Sequence, residues 1–325
     1  MNQESNIKIT RLNFKDQDAV CLRNSELSVI VLPKSGGNIA SIKINATGEE
    51  LLAQYKNDTW PKAKRGANFS DSAASGIDDV FPSISVFQGE LAGFTVDYPD
   101  HGFIWTEPLS HEVSQYGLHL AHNFEDPSIQ YSKDISLEDG TIKLKWHIKN
   151  TSTNAIPASF TFHGLFRWEA NMKLYWPLTD EELSKAKVWN VLENPYAKSN
   201  SIVPFKELET HLEQLLQEQS NEYLKLYLVD ALDLGEVSIA YKSSNTKVRL
   251  TWSVDSLPYL GLWLTNGGYR GDLNLAFEPT NGYPDDLTLA AANGTLPILN
   301  KGEAWQFSLN IEILKQDNEN EARKL

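Results

Sequence analysis

A single cysteine, Cys21, occurs in 325 residues, so no intrachain disulfide can form. A reducing, cytoplasmic location is the simple expectation. Basic residues are in deficit: 29 Lys and Arg stand against 43 Asp and Glu, a formal net charge of -14 at pH 7. Sequence-independent nucleic-acid binding requires a basic surface, so this balance argues against it. Long apolar runs are missing as well. No stretch approaches a membrane span, and the opening MNQESNIKITRLNFKDQ holds no apolar core of signal-peptide length. Low-complexity tracts, internal repeats and Pro/Ser linkers are also absent. One domain over 1–325 is therefore expected, with a frayed tail over 315–325.

What the chain does have is apolar residues in strand patterns. Hydrophobic residues make up 41% and charged residues 22%, enough for a full core. Nine Trp, twelve Tyr and thirteen Phe favour strands and also suit sugar sites, and core packing accounts for most of them. In TIKLKWHIKN, Ile142, Leu144, Trp146 and Ile148 alternate with polar residues. KVRLTWSV and AWQFSLNIEI repeat that period, and LSVIVLPKSGGNIASIKI reads as strand, turn, strand. Asn-Gly and Lys-Gly turns separate the runs. One segment differs. Between 180 and 220, Leu208, Leu212 and Leu215 share a helical stripe, which predicts a short helical insertion. The whole predicts an all-β, antiparallel sandwich.

Three places put a catalytic residue type in an unusual setting. In YPDHGFIWTEP, His101 sits between Pro-Asp and Gly102, at a turn or strand entry. In ASFTFHGLFRW, Ala158, Phe160 and Phe162 share one face while Ser159, Thr161 and His163 share the other. Gly164 then allows close approach by a ligand or a neighbouring backbone. In LNLAFEPTNGYPDDLTLA, Leu273, Leu275 and Phe277 oppose Asn274, Ala276 and Glu278, and Pro279 is expected to break the strand. His163 and Glu278 thus lie on polar faces of strands that end or kink directly afterwards. Each feature alone is more often structural than catalytic.

Taken together, FEPTNGYPDDL, PDHGFIW and FHGLF make the chain resemble the aldose 1-epimerase (galactose mutarotase-like) family. The likeness runs from the Gly36-Gly37 turn to the GEAWQFSLNIEI strand. LPKSGGNIASIKI, GIDDVFPSI and GLWLTNGGYRGDLNLAFEP support it in the same order. The resemblance implies a single-domain β-supersandwich that interconverts the α and β anomers of an aldose. It matches Glu278 to the general base, His163 to the general acid, and His101 to a second histidine that hydrogen-bonds the sugar. A small-molecule sugar is the implied partner, with no metal or organic cofactor. Two positions depart from the family pattern. Trp105 stands where many members have the Arg of His-Gly-Phe-x-Arg. HGLFRW replaces the aromatic-Phe-Asn that follows the second His. Both mark an outlying branch.

Arg65, Arg167 and Arg270 are candidates for the missing cation. Asp78 and Asp79 are candidate ligands of sugar hydroxyls, with a capped turn as the alternative. Trp105 is a candidate for stacking on a sugar face, with a core role as the alternative. His119 and His122 in HLAH have a metal-like spacing, but on a strand they point to opposite faces. Two other functions compete. One is a non-catalytic sugar-binding or sensing protein. The other is a glycoside hydrolase or lyase, which would need a second carboxylate about 5 Å from Glu278 in a retaining mechanism. Asp285, Asp286 and Glu169 are the candidates for that carboxylate.

Overall fold

A computed structural model describes residues 7–316. The tail expected over 315–325 lies, from residue 317 onward, outside the described residues. Period-2 sequences form strands because one face of each is apolar and must be covered. The strands build two large antiparallel sheets, of eleven and eight strands. Five neighbours in the middle of the larger sheet are, in spatial order, Gly76–Val80, Thr161–Arg167, Leu273–Thr280, Tyr259–Asn266 and Tyr223–Leu228. The smaller sheet includes Ile129–Glu138, Thr141–Asn150, Thr246–Trp252 and Ala304–Lys315.

The sheets pack face to face as in a sandwich. Phe162 and Phe277 from the larger sheet and Leu144, Trp146, Leu250 and Leu309 from the smaller one share a single buried cluster. Phe160 stacks on Phe307 with centroids 4.5 Å apart, and Trp146 meets Phe162 edge-on at 6.2 Å. One ion pair also lies inside the sandwich. Lys133 of the smaller sheet reaches Asp79 of the larger at 2.8 Å, both fully buried, and the Tyr131 hydroxyl donates to the same carboxylate at 2.6 Å.

The segment expected to be helical contains two helices, Asp180–Lys185 and Phe205–Gln217. The second buries Leu208, Leu212 and Leu215 as their spacing requires. Between the helices, Lys187–Asn190 and Ser201–Pro204 pair and extend the larger sheet at its edge. The helical insertion therefore also carries strands.

Pro279 does not end its strand. Leu273–Thr280 runs past it, with Pro279 opposite Leu260. The partner strand Thr161–Arg167 is in register at Thr161↔Thr280 and again at Phe166↔Leu275. Pro279 falls in the gap between, where its missing N–H breaks no ladder bond.

Candidate active site

The face of the larger sheet that looks away from the sandwich core carries the candidate residues. His163 pairs with Asp78 on one side. The register on its other side is the same at both ends of the pairing, which sets His163 opposite Glu278. Glu278 pairs in turn with Gly261, and Gly261 with Tyr227. Asp78, His163, Glu278 and Tyr227 therefore lie in one row that crosses five strands, with Gly261 as the gap. A Cβ on Gly261 would lie 2.7 Å from the Tyr227 ring and 3.3 Å from Glu278 Oε2, so the gap is what lets the carboxylate lie flat over its neighbour.

Glu278 is fully buried and His163 is 6% exposed, and the Nε2 of the histidine lies 3.8 Å from Glu278 Oε1. Neither Glu278 Oε1 nor His163 Nδ1 has a hydrogen-bond partner among the described residues. A buried polar atom normally has a partner, which a ligand or an ordered water can supply. The other carboxylate oxygen, Oε2, accepts a hydrogen bond from the buried ammonium of Lys225. That ammonium also lies 3.7 Å from Asp285 Oδ1, and Tyr227 donates its hydroxyl to the same aspartate. Lys225 thus clamps one oxygen of Glu278 and leaves the other facing His163.

Lys225 escaped the sequence reading because YLKLYL looks like a half-buried strand with a solvated lysine. The signal was there in another form. Tyr223, Lys225 and Tyr227 share the face opposite Leu224, Leu226 and Leu228, and a lysine between two tyrosines is an unusual solvated face.

His101 arrives from the turn after Tyr98 and adopts a left-handed φ of 57°. Gly102 follows at φ +70°, and a Cβ there would stand 1.9 Å from the Phe81 carbonyl oxygen. The His-Gly pair is therefore the tight crossing that swings His101 over the sheet. Its Nδ1 lies 2.7 Å from Asp100 Oδ1, where it donates to the carboxylate and leaves Nε2 free for a ligand. Asp100 also accepts from the Phe69 backbone N–H at 2.7 Å and, through its carbonyl, from Trp105 Nε1 at 3.0 Å. The Phe69 ring stacks on His101 at 3.9 Å and meets His163 edge-on at 5.4 Å. It thus packs against both histidines.

Electrostatics follow from burial and neighbours. Burial pushes the Glu278 carboxyl up from its ordinary value, while Lys225 opposes the rise. Burial, helped by His101 and Lys225, holds His163 well below its ordinary value. Burial works against the Lys225 charge, but Asp285 and Glu278 outweigh it and raise its pKa. Burial pushes Asp78 up to about 7, against a hydrogen bond from Asn38. Asp100 is lowered: burial works to raise it, but the His101 hydrogen bond wins.

The remaining candidates divide. Asp78 is in the row. Asp79, one residue on, faces the opposite way into the sandwich and is held by Lys133, so it is not brought to the site. Trp105 is buried against Phe69 and, with Asp78, lines a cavity of about 450 Å³ beside the row. Arg65 is exposed and donates to the Asp126 carbonyl, and Arg167 is held between Glu49 and Glu169. Arg270 donates to the Ser72 carbonyl at 3.2 Å, on the segment that carries Phe69. The cation at Glu278 is therefore Lys225. Among the alternative carboxylates, Glu169 is tied to Arg167 and Ser243, and Asp286 caps the helix Leu287–Asn293. Asp285 reaches the site, but Lys225 binds both it and Glu278. His119 lies 2.7 Å from Asp134, and His122 lies 3.1 Å from the Pro108 carbonyl.

Comparison with known proteins bears on the family and the fold. The family model described as aldose 1-epimerase matches residues 18–312. Among solved structures, a galactose mutarotase-like protein from Clostridium acetobutylicum is similar at TM-score 0.70 and 16% identity, over 95% of this chain and 99% of that one. A protein from Synechocystis is similar at TM-score 0.68 and 15% identity, over 94% and 99%. A galactose mutarotase-like protein from Lactobacillus casei is similar at TM-score 0.65 and 17% identity, over 91% and 100%. These structural likenesses speak to the fold. No curated protein matches the chain. No helix among the described residues is long and apolar enough to cross a membrane.

Proposed function

The chain belongs to the aldose 1-epimerase family, and on that premise we propose that it interconverts the α and β anomers of an aldose. The observation that carries this reading is the unpartnered Glu278 Oε1 facing His163 Nε2 at 3.8 Å, with both side chains buried. A carboxylate and an imidazole at that spacing suit the two proton transfers of ring opening. Glu278 Oε1 takes the proton of the anomeric hydroxyl. His163, in its protonated form, gives a proton to the ring oxygen. The bond between C1 and that oxygen breaks, and C1 becomes an aldehyde carbon. Rotation about C1–C2 presents the other face. Closure returns the Glu278 proton to the carbonyl oxygen and the other proton to His163, so nothing is consumed.

Lys225 supports the step in two ways. It keeps Glu278 ionised against the burial that favours the neutral acid, and it fixes which oxygen faces the substrate. The protonated form of His163 is in the minority at neutral pH, because its pKa is held low. When formed it is a strong acid, matched to a weakly basic ether oxygen. His101, oriented by Asp100, is left with Nε2 to bind the sugar.

Polarimetry of freshly dissolved α-aldoses tests the reading. Wild type should speed the approach to the equilibrium rotation, and Glu278→Gln should lose about 10²-fold to 10⁴-fold of that rate. Equal rates for the two proteins would overturn the assignment.

A further inference from the structure

Glu278 is fully buried and His163 nearly so, yet each must touch the sugar if they are base and acid. Something on the outer face of the larger sheet has to move first. The strands that carry the pair are fixed by neighbours on both sides. Lys225 is held by Glu278 and Asp285, and the His101 turn is pinned where Gly102 crosses the Phe81 carbonyl. Phe69 is held more lightly. Its ring stacks on His101 at 3.9 Å and lies 5.4 Å from the His163 ring. The two imidazoles are themselves 5.4 Å apart. Phe69 shares an apolar cluster with Leu165 and Ala276, each two residues along a strand from His163 or Glu278 and so on the same face.

The segment around Phe69 has the build of a moving piece. Residues 53–75 contain no strand and no α-helix, only the 3-10 turn Phe69–Asp71. Two hydrogen bonds tie residues 67–73 to the rest of the described chain. The Phe69 N–H donates to Asp100 Oδ2 at 2.7 Å, and Arg270 donates to the Ser72 carbonyl at 3.2 Å. The backbone takes positive φ at either end, 82° at Gly66 and 41° at Ala74. No atom lies within 4 Å of a Cβ placed on Gly66, so the chain has room to turn there. Hinges are a few residues of this kind at the ends of a moving element.

We propose that Phe69 is a gate, which swings off the two histidines to admit the sugar and shuts the pair away from water when the site is empty. The sugar ring then takes the place of the phenyl ring. This rests on the assignment of Glu278 and His163 as base and acid. Asp100 joins the gate to the site, since Oδ1 orients His101 while Oδ2 holds the Phe69 N–H. Arg270 is the second latch. It touches neither the base nor the acid, so it sets how often the gate opens and leaves the chemical step alone. A site that is competent only when open binds its sugar more weakly by the open fraction.

Diethyl pyrocarbonate labelling, read peptide by peptide by mass spectrometry, tests the gate without depending on turnover. The reagent attacks neutral imidazole, the form in which His163 is held. His211, buried on the helix Phe205–Gln217, is the internal control. In wild type, His163 should be labelled at a rate that urea below the unfolding transition does not change, the mark of local opening. Arg270→Ala should raise that rate about tenfold and leave His211 unchanged. Phe69→Ala should raise it at least as much, and if either variant unfolds the other decides. Where anomers are exchanged, KM in Arg270→Ala should fall about tenfold at constant kcat. Labelling of His163 only through global unfolding, labelling unchanged in the folded variants, or KM unchanged where labelling rises would overturn the proposal. A gate that opens as described in a protein that exchanges no anomers would support the gate and overturn the roles given to Glu278 and His163.

Discussion

Glu278 and His163 are pushed towards each other in pKa, the carboxyl upward from 4.5 and the imidazole downward from 6.5. The active pair needs Glu278 ionised and His163 protonated. Exchange activity should therefore be bell-shaped in pH, with its basic limb falling below the ordinary imidazole range because the His163 pKa is held low. A plateau persisting above pH 8 would contradict the assignment of the acid. Asp78 allows a separate test of stability. Its folded pKa of about 7 stands above the ordinary 3.8, so the stability it contributes is full below 3.8 and is lost as pH rises through about 7. The shift corresponds to roughly 4 kcal/mol at most. Asp78→Asn should raise the thermal midpoint at pH 8, on the order of 5 °C, and change it little at pH 4. Scanning calorimetry at the two pH values reads this directly, and equal shifts at both would refute the burial argument. Glu278 and His163 stood out as candidates by alternation and His101 by its turn, the resemblance grouped the three, and the fold brings them together. Lys225 and Asp100 did not stand out. A lysine in an alternating strand and an aspartate in a turn each have a common solvent-facing explanation, and only the fold shows the one clamped to Glu278 and the other to His101.

The strand Leu273–Thr280 shows how far local patterning reaches. Its alternation correctly separates Glu278 from Leu275 and Phe277, because a strand side chain has only two faces. The expected stop at Pro279 failed for a long-range reason. Whether a proline breaks a strand depends on which neighbour its nitrogen faces, and the gap in pairing with Thr161–Arg167 lies there. Gly164 is a related case. It was read as room for a ligand or a neighbouring backbone, but the atoms a Cβ would meet are the rings of Phe162 and Phe166 on the core side. The His101-Gly102 turn is more demanding than its sequence suggests, since it combines positive φ at both residues with contact to the Phe81 carbonyl. Gly102→Ala should lower stability by about 2 kcal/mol or more and displace His101. A denaturation midpoint within error of wild type would show that the crossing yields more easily than its geometry implies.

Across the whole molecule, two sheets enclose the core while the outer face of the larger one carries the candidate site. Asp79 belongs to the first task and Asp78 to the second. Adjacent residues of a strand face opposite ways, so the Asp-Asp pair in GIDDVFP serves both. Sequence could not divide them, because the partner that settles the matter, Lys133, is far along the chain. Lys133→Met should cost about 3–5 kcal/mol by leaving Asp79 charged and unpaired, and adding Asp79→Leu should recover much of it. Additive losses in the double variant, measured by chemical denaturation, would contradict the pairing. The sandwich itself was readable from strand spacing. The two edge strands inside the helical insertion were hidden by the stronger helical stripe beside them. The central claim, catalysis at Glu278 and His163, is tested most directly by exchange NMR on equilibrated neutral aldoses at mildly acid pH. Catalytic amounts of wild type should produce α-to-β exchange peaks that buffer and Glu278→Gln do not. Sugar resonances broadened by binding, with exchange no faster than in buffer, would contradict the account and leave a sugar-binding protein.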